Sequence, residues 1–427
     1  MVLLYLLKNV KQVNIIIIKF TISMYSLLLR ILRLISFFFI LFPNKHKHWF
    51  LEQKKILTTF KFNARKVIWI HCSSLGEYEN IKALIPLLKL INPVINVTFF
   101  SSSGYKHFND FDIVPKISYL PIDIKHDMVK FIKLMNPMMV IISKNDIWPN
   151  MINILHENNT PIYLVGCKLK KQKINNWLIR SYYIKYLSKF SHIFCEDKLT
   201  YEFVNSQNIT SSITKNTRIN QILIDSQNNF NNTSIESFTK NQKTIIYGSI
   251  EKSDIKIIID TINSRTDLNH IIVPHEINNK QIDSLKKIIS KPKILYSELT
   301  NENISNTNII IVDVFGILKS LYQYSHFAYI GGGFNKGIHN TTEATIHGNM
   351  VLFGPKHKEF SEAIFFIKEN IAFSIDNKEQ FIEQLNSLLN RNDSKHKIIH
   401  ATHKLLDASN NNLNHIINVI KHKPKTK

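Results

Sequence analysis

Cysteine is scarce in this 427-residue chain, which has three: Cys72, Cys167 and Cys195. So few, so scattered, build neither a disulfide framework nor a zinc site, and they read as small buried hydrophobes in a reducing compartment. Acidic residues are also in deficit, 32 against 54 Lys and Arg, leaving a formal charge of +22. That excess would attract polyanions such as nucleic acid, anionic lipid or phosphorylated small molecules. Lysine, asparagine and isoleucine are abundant throughout, however, including stretches such as NNFNNTS, so part of the charge is a chain-wide drift in composition. The sequence lacks any RNP, zinc or helix-turn-helix pattern, and its basic residues are spread rather than striped. Nucleic acid is therefore not expected as a partner. Internal repeats and heptad runs are missing too.

Nor is there an apolar run long enough to cross a bilayer. From Met24 the stretch MYSLLLRILRLISFFFILFP is strongly apolar, but Arg30 and Arg33 sit three apart, on one helical face. The uninterrupted part, Leu34 to Phe42 apart from Ser36, falls short of the roughly 20 residues a span requires. No small-residue cleavage site follows it, so a removable signal peptide is not expected. Residues 1–50 are expected to form a membrane-associated helix lying in or dipping into the interface, with Arg30, Arg33, Lys45 and Lys47 on anionic headgroups. The competing readings are a spanning anchor, if the helix starts further upstream, and a buried terminal helix; the basic flank after Pro43 favours a cytoplasmic membrane surface.

What is present beyond residue 60 is an alternation of short β-rich runs with helical patterns. VIWIHCSS, INVTFFSSS, MMVIIS, TPIYLVGC and FSHIFC read as buried strands joined by crossover helices, which means a parallel, doubly wound α/β domain. The polar stretch IDSQNNFNNTSIESFTKNQK interrupts the pattern, after which KTIIYGS, HIIVP, KILYS, NIIIVD, SHFAYIGGG and MVLFGP resume it. With 44% hydrophobic residues the chain can bury two ordinary cores. The expected organisation is a first Rossmann-like domain over 51–225, a linker over 226–243 and a second Rossmann-like domain over 244–427, facing each other across a cleft.

In open α/β sheets ligands bind beyond the carboxyl ends of the strands, so the residues just after each run matter most. HCSSLGEYEN puts Glu77 at a strand-to-helix turn directly after a glycine. A carboxylate there gains from the helix dipole, which is its purely structural reading; the glycine also lets the backbone approach a ligand, and the carboxylate could take a proton from an attacking hydroxyl. AYIGGGFNKGIHNTTEATIHG runs from a strand into a glycine-rich loop, with a helix opening near Asn340 whose free N–H groups would suit a phosphate. It is not a GxGxxG dinucleotide fingerprint, because its glycines are consecutive. Asn340 and Glu343 also fit a capping box; alternatively Glu343 accepts hydrogen bonds from ribose hydroxyls.

Taken together, the GE turn, the segment KNDIWPN (Lys144 to Asn150), FSHIFCED, NTRIN, GSIEKSD, IIVPHE, DVFGILKSLY and GGGFNKGIHNTTEA followed by VLFGPKHKEFSEA closely resemble the Kdo transferases of lipopolysaccharide synthesis. The resemblance runs from about Met24 to the end, with the motifs in the family's order and spacing. It implies a GT-B fold and an inverting transfer of Kdo from CMP-Kdo, with no metal or other cofactor, to the 6-hydroxyl of a lipid A precursor disaccharide. It further implies a place on the cytoplasmic face of the inner membrane. Glu77 matches the family's general base, and Arg218 a basic residue that stabilises charge as the CMP phosphate departs. Pro274, His275, Phe315, Gly316, Ile317, Asn340, Thr341, Thr342 and Glu343 fall where the family binds CMP.

The chain departs from the family at two places. Many members carry Glu-x-Glu where this chain has Lys144 and Asp146, so the first acidic role does not carry over and Lys144 is instead expected to be available to the Kdo carboxylate. His275 stands where arginine is common, and a mostly neutral histidine holds a phosphate less firmly. The alternatives are another GT-B nucleotide-sugar enzyme, a basic membrane- or nucleic-acid-binding protein without transferase activity, and an inactive descendant that keeps only the fold.

Overall fold

The computed structural model describes residues 47–227, 230–300, 303–304, 307–391, 395–407 and 411–422, together with Tyr25, Leu27, Leu29 and Ile31. Strands form where β-branched and aromatic residues run without alternation, the pattern a sheet covered on both faces requires. Seven of them make the first sheet: β1 (Val67–Cys72), β2 (Ile95–Phe99), β3 (Lys116–Tyr119), β4 (Pro137–Ser143), β5 (Ile162–Cys167), β6 (His192–Cys195) and β7 (Ser211–Ile213). Their spatial order is β3-β2-β1-β4-β5-β6-β7, and every pairing is parallel. The second sheet comprises β8 (Thr244–Ile250), β9 (Asn269–Pro274), β10 (Ile294–Leu295), β11 (Ile309–Ile311), β12 (Phe327–Ile330), β13 (Met350–Phe353) and β14 (Ala372–Ser374). It is parallel in the order β10-β11-β9-β8-β12-β13-β14. Both are doubly wound α/β sheets, as expected, and the architecture is GT-B-like.

Each sheet reverses its winding beside its first strand, between β1 and β4 in one and between β8 and β12 in the other. Loops leaving the carboxyl ends on either side of such a reversal splay apart and leave a crevice. In the first unit these loops carry Glu77 after β1 and Lys144 to Trp148 after β4; in the second they carry Glu251 after β8 and the glycine-rich stretch after β12.

The expected domain limits need correction. The chain divides into one unit of residues 1–221 plus 411–427 and another of 222–410. The stretch read as a linker over 226–243 contains the helix Thr233–Thr239, whose cap is Asn232 and whose Ile235 and Phe238 are buried in the second core. Those apolar residues lie three apart, one helical face, inside a stretch whose polarity hid them. At the other end, the helix Asn411–His422 buries Ile416, Ile417 and Ile420 in the cluster of the first unit that holds Ile81, Leu84, Ile85 and Leu88. Residues 411–422 therefore belong to the first unit, and not to a domain running from 244 to 427.

Strands β3, β7 and β14 went unnoticed in the sequence. They are three or four residues long, partly exposed, and sit at or near sheet edges, where the apolar signal is weakest. Most of the expected membrane helix, with Arg30, Arg33 and Lys45, lies outside the described residues. Of the four described there, Tyr25 donates to Asp123 Oδ2 at 3.0 Å and Leu29 is buried, while Leu27 and Ile31 are exposed. Lys47 opens a helix running to Thr59. Among the described residues no helix is long and apolar enough to cross a membrane.

Candidate active site

Glu77 occupies the third position of the helix Leu75–Ile81, which Ser74 caps by accepting the Glu77 backbone N–H at 3.4 Å. Its carboxylate turns back and accepts the Ser73 backbone N–H on Oε2 at 2.5 Å. The structural reading of this residue is thus half met: one oxygen ties down the turn, one residue earlier than a standard capping box would. Burial pushes the Glu77 carboxyl up from its ordinary value, and the nearby Asp146 carboxylate pushes it further; the Ser73 N–H and His71 oppose them. A base so perturbed holds a proton more readily than a solvated glutamate. Gly76 is exposed, and a Cβ there would meet only Ser74 Oγ, at 3.9 Å. The approach to Glu77 from that side is open.

Asp146 belongs to the same cluster. It accepts from Ser73 Oγ and lies 2.9 Å from His71 Nε2, a fully buried ring at the end of β1. His71 Nδ1 is 2.8 Å from Thr98 Oγ1, which itself accepts from Trp69 Nε1 at 2.8 Å. Asp146 as an ionised carboxylate can only accept, which calls for the His71 proton on Nε2, and the Thr98 O–H then serves Nδ1. Trp148 Nε1 approaches the same His71–Asp146 pair, at 3.0 Å from Nε2. Burial alone would raise the Asp146 carboxyl, but hydrogen bonds from His71, Ser73 and Trp148 outweigh it and hold Asp146 below its ordinary value. One carboxyl raised and its neighbour lowered is how two acids in one site come to hold different charges. His71 was missed in the sequence, although a lone imidazole inside the otherwise apolar run VIWIHC was a signal.

Lys144 follows the carboxyl end of β4, two residues before Asp146. It sits in left-handed backbone, φ 62°, and its Nζ is bound to Glu196 Oε1, just after β6, so it is engaged by the protein rather than open to a ligand. Glu196 thus sets a carboxylate beside position 144. Asp123, fully buried, accepts the backbone N–H groups of Asn150 at 2.8 Å and Met151 at 2.9 Å, and so caps the helix Pro149–Glu157 from outside. Burial pushes its carboxyl up to about 7. Arg218, half-buried, opens the helix Arg218–Ser226, and the preceding Thr217 donates to the Asn80 carbonyl of the Glu77 helix, which fixes the position of that turn relative to Glu77.

In the second unit the predicted residues gather along the carboxyl edge of the sheet. Pro274 ends β9 and the exposed His275 follows it; Phe315, Gly316 and Ile317 follow β11, with Gly316 at φ +90°. Asn340 Oδ1 accepts the N–H groups of Thr342 at 2.8 Å and Glu343 at 3.2 Å, opening a four-residue helix, Thr342–Thr345. Two N–H groups expected to be free for a phosphate are thus already taken, because the cap that starts the helix consumes them. Thr341, Thr342 and Glu343 are buried. The glycines of the loop serve packing: a Cβ on Gly331 would lie 2.3 Å from Ser249 O, and one on Gly333 2.6 Å from Gly354 N. His339 stacks on His275 with ring centroids 4.5 Å apart and lies 3.4 Å from Glu251 Oε1. Burial and the neighbouring His275 lower its pKa.

Glu251, His275 and His339 bring one ligand atom each within 4.8 Å of one another, a donor set that a divalent transition metal accepts. The two imidazole planes differ by only 25°, however, so their in-plane lone pairs run side by side rather than converging. The arrangement is first a ring stack. Among the described residues, then, the structure brings Glu77 and Asp146 together, joins Lys144 to Glu196, and sets His275 beside His339.

Residues 48–221 match the family described as 3-deoxy-D-manno-octulosonic-acid transferase (kdotransferase). A bifunctional glycosyltransferase/methyltransferase of Fusobacterium nucleatum is 25% identical over 78% of this chain, and the match spans 54% of that protein. The 3-deoxy-D-manno-octulosonic acid transferase of Rickettsia typhi is 25% identical over 78% of this chain and 73% of its own length. That of Aquifex aeolicus is 26% identical over 77% and 87% respectively. In fold, the chain is similar to a UDP-GlcNAc 2-epimerase from Neisseria meningitidis, with a TM-score of 0.58 and 14% identity over 84% of this chain and all of that one. It is also similar to a glycosyltransferase from Rickettsia africae, with a TM-score of 0.53 and 12% identity over 84% of this chain and all of that one.

Proposed function

We propose that this chain, whose residues 48–221 match the Kdo transferase family, is a glycosyltransferase that moves Kdo from CMP-Kdo to the 6-hydroxyl of a lipid A precursor disaccharide, with inversion. The observation that carries the chemistry is Glu77: a half-buried carboxylate with a raised pKa, held by one oxygen at the crevice edge, next to an open glycine. In this reading the acceptor hydroxyl gives its proton to Glu77 as its oxygen forms the bond to the anomeric carbon of Kdo. The bond from that carbon to the phosphate oxygen breaks, and its electron pair leaves with CMP. Arg218 offsets the charge that develops on the phosphate. Asp146 and His71 act as positioning residues, fixing Ser73 and through it the Glu77 carboxylate.

Pro274, His275, Phe315 to Ile317 and Asn340 to Glu343 hold CMP-Kdo on the second unit. Glu343 suits the ribose hydroxyls better than a bare phosphate, since it is an acid. No metal or cofactor takes part, nucleic acid is not a partner, and the enzyme works at the cytoplasmic face of the inner membrane, where its amphiphilic acceptor resides. Exclusion of water from the donor matters here, because water competes with the acceptor hydroxyl.

The test is transfer by detergent-solubilised protein from CMP-Kdo, generated in the assay, to a tetraacyl disaccharide precursor, with product mass read with and without EDTA. Product that gains one or more Kdo units at an unchanged rate in EDTA supports the reading. Loss in EDTA that zinc restores would instead give Glu251, His275 and His339 a metal role. The similarity in fold to a UDP-GlcNAc 2-epimerase favours one runner-up, a UDP-sugar enzyme. Competition for the donor by UDP but not CMP would select it.

A further inference from the structure

One segment of the first unit combines features that the site does not use. From Asn158 to Cys195 the chain contains no acidic residue, and within that span Lys168 to Lys189 is densely basic. The helix Trp177–Leu187 is anchored by Tyr183, Tyr186 and Leu187, which are buried in the first core. Its first turn, capped by Asn176 through the Ile179 N–H at 3.1 Å, leaves three consecutive apolar side chains in water: Trp177, Leu178 and Ile179 are 56, 48 and 38% exposed. Lys171, Lys173 and Arg180 are exposed around them.

We propose that this turn, Trp177 to Ile179 with Lys171, Lys173 and Arg180, docks the first unit onto an anionic lipid bilayer. An isolated exposed leucine needs no explanation, but three adjacent apolar residues held by a capped helix form a patch. A tryptophan prefers the headgroup region, where its ring is apolar and its N–H remains wet. The cations select the occupant. An acidic or neutral apolar partner protein would satisfy the triplet, but a segment rich in lysine and arginine with no acid of its own is complementary to a sheet of anionic headgroups. The long lysine stems let ammonium groups reach phosphates while the apolar turn enters below them.

The segment also leaves the right edge of the sheet. It follows the carboxyl end of β5, and Asn145, the neighbour of Asp146, binds it twice: Lys168 N donates to Asn145 Oδ1 at 2.9 Å, and Asn145 Nδ2 donates to the Lys168 carbonyl. A bilayer-embedded acceptor must bring its sugar headgroup to Glu77 without leaving the membrane, and a docking turn that departs from the same edge serves that end. Only this purpose rests on the proposed function; the docking itself does not.

The test labels the full chain at Leu178→Cys with an environment-sensitive fluorophore, since Cys72, Cys167 and Cys195 are all buried. Phosphatidylglycerol vesicles should shift the emission to the blue and brighten it several-fold, phosphatidylcholine vesicles should leave it unchanged, and high salt should reverse the effect. A label that stays in water while the chain sediments with the same vesicles would overturn the proposal, as would a label already shielded in the vesicle-free protein by self-association. Independently, the triple variant Lys171→Glu, Lys173→Glu, Arg180→Glu should weaken partition onto anionic vesicles by about tenfold or more. Unchanged partition would overturn it equally. Kdo transfer to a detergent-solubilised acceptor by that variant separates the two readings: transfer without docking leaves the proposed function standing.

Discussion

Around β1 and β4 the first unit gathers ionisable side chains that hold one another: Glu77, Asp146, His71, Lys144 and Glu196, with Ser73 and Trp148 between them. Around β8 and β12 the second unit, wound the same way, gathers glycine backbones pressed on each other, stacked imidazoles and a capped four-residue helix. The difference teaches what each crevice is suited to. Perturbed, interlocked carboxyls suit proton transfer, whereas tightly fixed backbone suits holding a ligand. One topology supplies the two edges, and the residues placed on them differ in kind.

The comparison breaks first at Glu77. Glu77→Gln keeps the shape and an acceptor for the Ser73 N–H but cannot take a proton. The turnover of Kdo transfer should fall about 10³- to 10⁴-fold, while CMP affinity, a property assigned to the other unit, stays within twofold of wild type. Equal losses in both would mean that the division of labour is wrong.

Asp123 tests whether the first unit carries charge at a cost. Its carboxyl is pushed up to about 7 by burial, against about 3.9 in an unfolded chain. The folded state therefore binds the extra proton between those values, and stability from this group is full below pH ~4 and lost as the pH rises through ~7. The shift corresponds to an order of 4 kcal/mol at ~1.4 kcal/mol per unit. Denaturant titrations from pH 4 to 8 should show midpoints declining across that window, and Asp123→Asn should flatten the decline. A wild-type midpoint that climbs steadily with pH would contradict it.

Asp146→Asn removes the negative charge that helps raise Glu77 and weakens, by the loss of that charge, the acceptor that holds the His71 Nε2 proton. Turnover should drop roughly 10- to 100-fold, as when a group that orients a catalytic residue is lost. Its more telling signature is in the pH profile. The acidic limb, where Glu77 gains a proton, should move to lower pH, because one of the causes raising that carboxyl is gone. A limb that stays in place would reduce Asp146 to a structural role.

Both doubly wound sheets were legible in the sequence because long β-branched runs followed by turn residues have few other fates, and Glu77 was legible because a glycine-acid pair follows one of them. Three kinds of feature were not. Short edge strands such as Ser211–Ile213 bury too little to mark themselves. The pairing of Lys144 with Glu196 and of His71 with Asp146 joins residues 52 and 75 positions apart, and spacing says nothing of such partners. The return of Ile416, Ile417 and Ile420 to the first core depends on where the final helix lands, which its own amphipathic pattern does not specify. The glycine-rich loop after β12 adds a further limit: a sequence shows that a Cβ is missing, not what would meet it.

Two glycines make that last point measurable, with the smallest expected effects. A methyl on Gly331 would enter the Ser249 carbonyl at 2.3 Å and the Ile250 Cα at 2.7 Å, both of them backbone and unable to move aside cheaply. Gly331→Ala should cost about 1 to 3 kcal/mol of stability through overpacking and weaken CMP binding with it. Gly76 has no such neighbour, and it lies inside a helix with ordinary backbone angles. Gly76→Ala should therefore gain about 0.5 to 1 kcal/mol by restricting the unfolded chain. If the acceptor passes over this glycine to reach Glu77, the same variant loses transfer activity while becoming more stable, with KM for the acceptor rising before turnover changes. Thermal denaturation and acceptor titration of the two variants decide it. A Gly76→Ala enzyme that is both more stable and fully active would show that the open face beside Glu77 is not the acceptor's path, and the base would have to be reached from another side.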